Sequence, residues 1–228
     1  MVAKSPAYLS EAQYQYVSSY VQECENVMRK SVGLNDYQAL SAYIDIPSFV
    51  GKYLVEEVSK NIDSSATSQY FYKDRDGLLY AGPVWDYDWA YGVERIQEEI
   101  DYTDPEGFSA RDIPGSLIWW QLLYYNNAFY EDVVTMYENV LYPWLNELVE
   151  TGLNQWAQEL SASAVMDYLR WDRAASETDT AASDDTSASD DAASSPVQKA
   201  YQAYQEQVEQ VRSFLSVRKE FLYREWVG

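Results

Sequence analysis

Few residues in this chain have the types and spacing to do chemistry. Histidine is absent and cysteine occurs once, as Cys24. That excludes His-based triads, His metal ligands, a disulfide framework and thiolate zinc sites, leaving carboxylates, hydroxyls or a bound metal. Three carboxylates stand out: Asp63 directly after a predicted helix, and Asp86 and Asp88 directly after a predicted hairpin. A tight hairpin brings its two ends side by side, which places Asp63 within reach of Asp86 and Asp88. Converging carboxylates repel one another unless they are solvated, share protons or hold a divalent cation. The competing explanation is ordinary turn chemistry, since Asp is a common turn and cap residue. Trp85, Tyr87 and Trp89 would then be plain core.

The elements that must position these side chains are mostly helical. Ser10 followed by Gln13 is a capping-box pattern opening a helix over 8–31. Its stripe is Tyr14, Val17, Val21, Cys24 and Met28, at steps of three and four. Cys24 on such a face is a small buried hydrophobe. A second helix spans 47–61, with Pro47 in its first turn and Phe49, Tyr53, Leu54, Val58 and Ile62 as its buried stripe. Residues 69–81 alternate into a hairpin around Asp74-Arg75-Asp76-Gly77. Further helices are predicted at 114–127, 130–150, 153–173 and 197–226, with Pro143 kinking or splitting the second of them. The fold class is α+β, mostly α-helical, with the hairpin carrying the site at its base.

Composition narrows the function. The 228 residues carry 16 Lys plus Arg against 37 Asp plus Glu, a net charge of −21. Such a chain does not track a phosphate backbone by counterion release, so nucleic acid and anionic lipid are disfavoured partners. No run approaches the roughly 20 apolar residues of a membrane span, and the first residues lack a signal-peptide pattern. The segment 174–196 is Ala, Ser, Thr and Asp with six acidic residues and no basic or aromatic one. It reads as a disordered acidic insertion rather than a calcium loop. The helix at 197–226 then packs back on the same domain as residues 1–173.

The order helix, Asp loop, hairpin, Asp loop is the order in which protein-kinase-type phosphotransferases set out an acceptor-orienting Asp and a metal-holding Asp. The strings Tyr43-Ile44-Asp45-Ile46-Pro47-Ser48-Phe49, Asn61-Ile62-Asp63, Gln69-Tyr70-Phe71-Tyr72-Lys73-Asp74 and Gly82-Pro83-Val84-Trp85-Asp86-Tyr87-Asp88-Trp89-Ala90-Tyr91-Gly92 resemble the CotH family of atypical protein kinases. The similarity is close over roughly 35–95 and looser at the last helix, around Phe214, Leu215 and Arg218. It implies a kinase-like C-terminal lobe, ATP as co-substrate, Mg2+ or Mn2+ as cofactor, and a Ser or Thr acceptor on a protein. By the same resemblance Asp63 is the catalytic aspartate and Asp86 the metal-binding one. Asp88 is a second ligand or orienting group, and Trp85 a cofactor-binding side chain. The family also points to spore-coat or cell-surface settings.

Two departures from the kinase pattern matter. Ser68 stands five residues after Asp63, where a kinase has Asn for a second metal. A hydroxyl ligates magnesium more weakly. Upstream of the matched region there is no glycine-rich turn and no strand Lys, and Lys4 and Lys30 read as solvated. The expectation is a C-lobe without its N-lobe, with weak metal and nucleotide binding and slow or no transfer. A second reading is a non-catalytic, aromatic-rich binding module, drawn from 22 Tyr and 8 Trp and from Trp119-Trp120, adjacent residues that do not share one helix face. A carboxylate glycosidase ranks last, because nothing singles out an acid with a raised pKa.

Overall fold

The computed structural model describes residues 9–61, 67–93, 103–112, 118–171 and 195–228. The predicted insertion at 174–196 therefore falls almost entirely outside the described residues, as do Ile62 and Lys4. The architecture is mostly helical, with one two-stranded antiparallel sheet among the described residues. The chain forms two compact units, one of Met1–Tyr142 with Val217–Gly228 and the other of Pro143–Ser216.

Helix α1 spans Glu11–Ser31 and opens with the reciprocal box: Ser10 Oγ accepts from Gln13 N–H while the Gln13 side chain accepts from Ser10 N–H. Its predicted stripe is buried only at Cys24 and Met28. Val17 and Val21 are half-buried and Tyr14 is exposed. The reason is tertiary: the packing partners of α1, the 3-10 turn Leu40–Ala42 and the later helix α3 (Ile118–Tyr124), leave its first turns uncovered.

Helix α2, Ile46–Ser59, is the centre of the first unit. Asp45 caps it by accepting from Ser48 N–H, Pro47 sits in its first turn, and Lys60 ends it in the left-handed region at φ 48°. Burial extends around the helix: Phe49, Val50, Tyr53, Leu54 and Val58, but also Lys52, Glu56 and Glu57. A helix buried on this many faces must pair its charges internally. Its aromatics meet those of neighbouring elements, with Phe49 5.9 Å from Trp120 and Tyr53 6.1 Å from Phe129 and 6.3 Å from Trp226.

Strands β1 (Phe71–Lys73) and β2 (Leu79–Ala81) pair with Phe71 opposite Ala81, Tyr72 opposite Tyr80 and Lys73 opposite Leu79. The turn closes through Gly77 N–H to Asp74 O, with Asp76 at φ 57°. On its far edge β2 exchanges hydrogen bonds with Tyr43 and Asp45, and Ala81 N–H reaches Ser48 Oγ at 3.1 Å. These bonds fasten the hairpin to the start of α2.

Helix α3 buries Trp119, Trp120 and Leu123, and α4 (Asn127–Met136) follows, capped by Asn126. Near Pro143, where a kink or split is expected, the helix widens without ending. A π-helical turn, Tyr137–Leu141, precedes α5 (Tyr142–Glu147), and a second, Leu148–Gly152, leads into α6 (Leu153–Arg170). A widened turn accommodates the missing N–H and bulky ring of proline without ending the helix. Gly152 likewise keeps helical dihedrals (φ −61°, ψ −42°), so it does not separate two helices as its residue type suggests. The last helix, α7, spans Pro196–Trp226. Within the second unit Tyr204 donates to Ala157 O at 3.0 Å, and Arg212 donates to Asn154 Oδ1 at 2.7 Å and to Val149 O.

Candidate functional site

Two loops meet at the base of the hairpin. Gly82 N–H donates to Tyr70 O at 2.9 Å, and the Gly82–Pro83 peptide is cis. From there the chain runs through Trp85, Asp86 and Tyr87, returns to α2 where Tyr91 N–H meets Ser59 O at 2.8 Å, and passes Gly92 at φ 79°. Ser68 on the incoming side and Asp86 on the outgoing side are both non-glycine residues at positive φ, 56° and 67°. Such a conformation costs roughly 1–3 kcal/mol and persists where the surroundings over-determine it, commonly at functional sites. Here it turns the two side chains toward each other: Ser68 Oγ donates to Asp86 Oδ2 at 3.0 Å. Asp86 and Asp88 are exposed.

Beneath this exposed pair lies a buried polar cluster that the sequence did not announce. Glu56 Oε1 receives the Tyr87 hydroxyl at 2.6 Å, the Gln69 amide at 3.0 Å and the Lys52 ammonium at 2.6 Å. Lys52 also donates to the Tyr87 hydroxyl at 3.0 Å. Burial, and then the adjacent Glu56 carboxylate, push the Tyr87 phenol well above its ordinary pKa, so it stays a proton donor to Glu56. Tyr91 is raised for the same two reasons. The one available signal was the i, i+4 pair Lys52 and Glu56, of opposite charge within an apolar helix.

The predicted site residues fare unequally. Asp63 lies outside the described residues, and Asn61, just before it, is fully buried at the end of α2. Ser68 and Asp86 are brought together. Asp88 lies on the same loop. Trp85 is 58% exposed, with its ring edge-on to Tyr70 at 6.1 Å, and Trp89 is 38% exposed. Neither Trp belongs to the core, which corrects the reading of both as ordinary packing. Trp119 and Trp120 are both fully buried, so neither points outward, and that support for an aromatic binding surface is removed. Both are buried because different elements cover them: Trp119 Nε1 donates to Glu25 Oε2 of α1 at 3.2 Å, while Trp120 packs 5.9 Å from Phe49 and 6.1 Å from Tyr53 of α2.

Among the described residues no three His, Cys, Asp or Glu side chains gather into a metal-sized cluster. The donor chemistry of the Ser68–Asp86 pair nonetheless fits a small hard cation. Both are oxygens, the ligand type such a cation takes, and they already lie side by side through the hydrogen bond between them. Surface grooves of about 350 and 500 Å³ open elsewhere, over Pro47, Val50 and Met136 and over Tyr16, Tyr20 and Tyr43. Neither is lined by Ser68, Trp85 or Asp86. No described helix is long and apolar enough to cross a membrane.

No curated protein and no solved structure matches the chain. A family model does: the one described as CotH kinase protein matches residues 2–222, nearly the whole length. That membership suggests a kinase-like function and, with it, ATP, a divalent metal and a protein substrate. The Gly82–Gly92 loop, with its Trp85-Asp86-Tyr87-Asp88 core and its packing against α2, lies within the matched span, and the chain belongs to the CotH kinase family.

Proposed function

We propose that the chain is a kinase-like phosphotransferase that moves the γ-phosphoryl group of ATP onto a Ser or Thr hydroxyl of a protein, on a fold equivalent to a kinase C-terminal lobe. The observation that carries this reading is the Ser68–Asp86 pair, 3.0 Å apart and held at positive φ on both sides. Asp86 and Ser68 would hold Mg2+ or Mn2+, which neutralises charge on the phosphates when bound. Asp88, exposed on the same loop, is the second ligand or orienting group. Asp63 aligns the acceptor hydroxyl and takes its proton as the new P–O bond forms and the bond to the leaving ADP oxygen breaks. Trp85 offers an exposed indole face to the nucleotide base. A protein of a spore coat or cell surface is the acceptor that the family suggests.

Such chemistry depends on positioning and charge neutralisation more than on a strong base. A chain with no histidine is therefore not handicapped. The test is Mn2+ binding followed by electron paramagnetic resonance, together with ³²P transfer from ATP to a Ser/Thr-rich protein, on the chain and on Asp86→Asn and Asp63→Ala. Binding and transfer abolished by Asp86→Asn, with transfer alone abolished by Asp63→Ala, is the expected result. Equal Mn2+ binding by the chain and Asp86→Asn would overturn the assignment. The second reading, a non-catalytic binding module, draws on the exposed aromatic group Tyr70, Tyr72, Trp85 and Trp89. It is favoured if neither metal nor ATP shifts the melting temperature.

A further inference from the structure

We propose that Glu56 is the positioning residue of this site: by collecting Tyr87, Gln69 and Lys52 on one carboxylate oxygen, it clamps together the two loops that carry Ser68 and Asp86. The inference rests on the phosphotransferase reading only for its catalytic consequence. The clamp itself stands on geometry.

Gln69 is the chain neighbour of Ser68, and Tyr87 is the chain neighbour of Asp86. Each therefore fixes the backbone of a residue held at positive φ. Their bonds of 3.0 and 2.6 Å converge on Glu56 Oε1 from opposite sides of the hairpin base. Glu56 is fully buried in the last turn of α2, a helix buried on several faces. Lys52, one turn earlier on the same helix and 4% exposed, neutralises the carboxylate and also donates to Tyr87. Glu56 Oε2 is buried without a hydrogen-bond partner among the described residues, so in this set the polar load falls on Oε1. Loops that carry strained residues open easily unless something rigid holds them. A buried, charge-assisted network is a strong hold for two segments of this size. The exposed Ser68–Asp86 bond is, on this account, the outer consequence of an inner constraint.

The test uses Tyr87→Phe, which deletes one hydroxyl and leaves the fold intact, and Glu56→Gln, which keeps the shape and removes the charge. Hydrogen exchange by mass spectrometry reads the clamp directly. In Tyr87→Phe, peptides covering 67–70 and 83–91 are expected to exchange at least about tenfold faster, while peptides from α2 and α3 are unchanged. The conservative Glu56→Gln is expected to loosen both loops together. In the same variants Mn2+ affinity falls several-fold, and kcat falls more than KM rises, because positioning is lost rather than binding alone. Acceleration in only the 83–91 loop, or uniform acceleration across the unit, would overturn the clamp and leave Glu56 a structural residue. If the chain itself neither binds Mn2+ nor transfers phosphate, the phosphotransferase reading fails. The clamp is then judged by exchange alone, and coupled loosening of the two loops upholds it.

Discussion

Arg218 and Glu57, 161 residues apart in the chain, form an ion pair in which neither side chain is exposed to solvent, with Nη2 3.2 Å from Oε2. Arg218 Nε also donates to the Glu57 carbonyl at 2.8 Å, and Nη1 donates to the carbonyls of Pro105 and Gly107. Glu57 in turn accepts from the backbone N–H groups of Ser109 and Arg111 at 2.8 and 3.0 Å. Burial pushes the Glu57 carboxyl upward and the Arg218 guanidinium downward, while their mutual attraction opposes both shifts. The pair joins the end of α2, the 104–111 segment and the last turns of α7.

Removing one partner leaves the other charge buried without compensation. Arg218→Met is expected to cost about 3–5 kcal/mol and to lower the urea midpoint without changing the slope. Substituting both as Glu57→Leu with Arg218→Met does not restore stability, because the carbonyls of Pro105 and Gly107 lose their donor. Chemical denaturation of the single and double variants checks both statements.

At the site, Ser68 is the informative position. Ser68→Ala removes one oxygen and is expected to weaken Mn2+ binding by roughly two- to tenfold. Ser68→Asn supplies an amide oxygen, and Asn tolerates the φ of 56° found there better than most residues. Its Mn2+ affinity should equal or exceed that of the parent chain, measured by the same resonance titration. A loss with Ser68→Asn as large as with Ser68→Ala would rule out the side-chain oxygen as a ligand.

Asn126 joins three segments. Its Oδ1 caps α4 by accepting from Phe129 N–H at 3.0 Å, and its Nδ2 donates to Ser31 O and Asp36 O at 2.9 and 3.3 Å. Asn126→Ala removes the cap and the side-chain donor to two carbonyls, of which Ser31 O keeps its bond from Leu34 N–H, with an expected loss of about 2–4 kcal/mol. Asn126→Asp, which keeps the cap acceptor but not the amide donor, should lose the larger part of that. Thermal melts of the two variants separate the contributions.

Cys24 is 1% exposed, and burial pushes its thiol up to about 12. Thiolate is the reactive form. The native chain is therefore expected to resist thiol-specific reagents at pH 8, with one equivalent reacting in 6 M guanidinium. Rapid labelling under native conditions would show that α1 opens locally.

Local chemistry was legible wherever neighbours in sequence are neighbours in space. The Ser10–Gln13 box, Pro47 in a first turn and the Asp76-Gly77 turn are each satisfied within a few residues, and each predicted element is found there. Tyr14 lies on the periodic stripe of α1 yet is exposed, because periodicity reports a face while burial depends on what covers that face. Pro143 is expected to kink or split its helix, and a π-helical turn precedes it in a helix that continues through it.

The amino-acid order alone determined the helical content, the hairpin, the all-oxygen character of any chemistry and, through the Gly82–Gly92 string, the family. Folding alone decided that Ser68 and Asp86 touch, that Lys52 and Glu56 sit buried beneath them, and that Glu57 meets Arg218. The physical reason is range: caps and turns are decided by hydrogen bonds over three or four residues, whereas burying a charge is tolerable only once a distant partner has arrived.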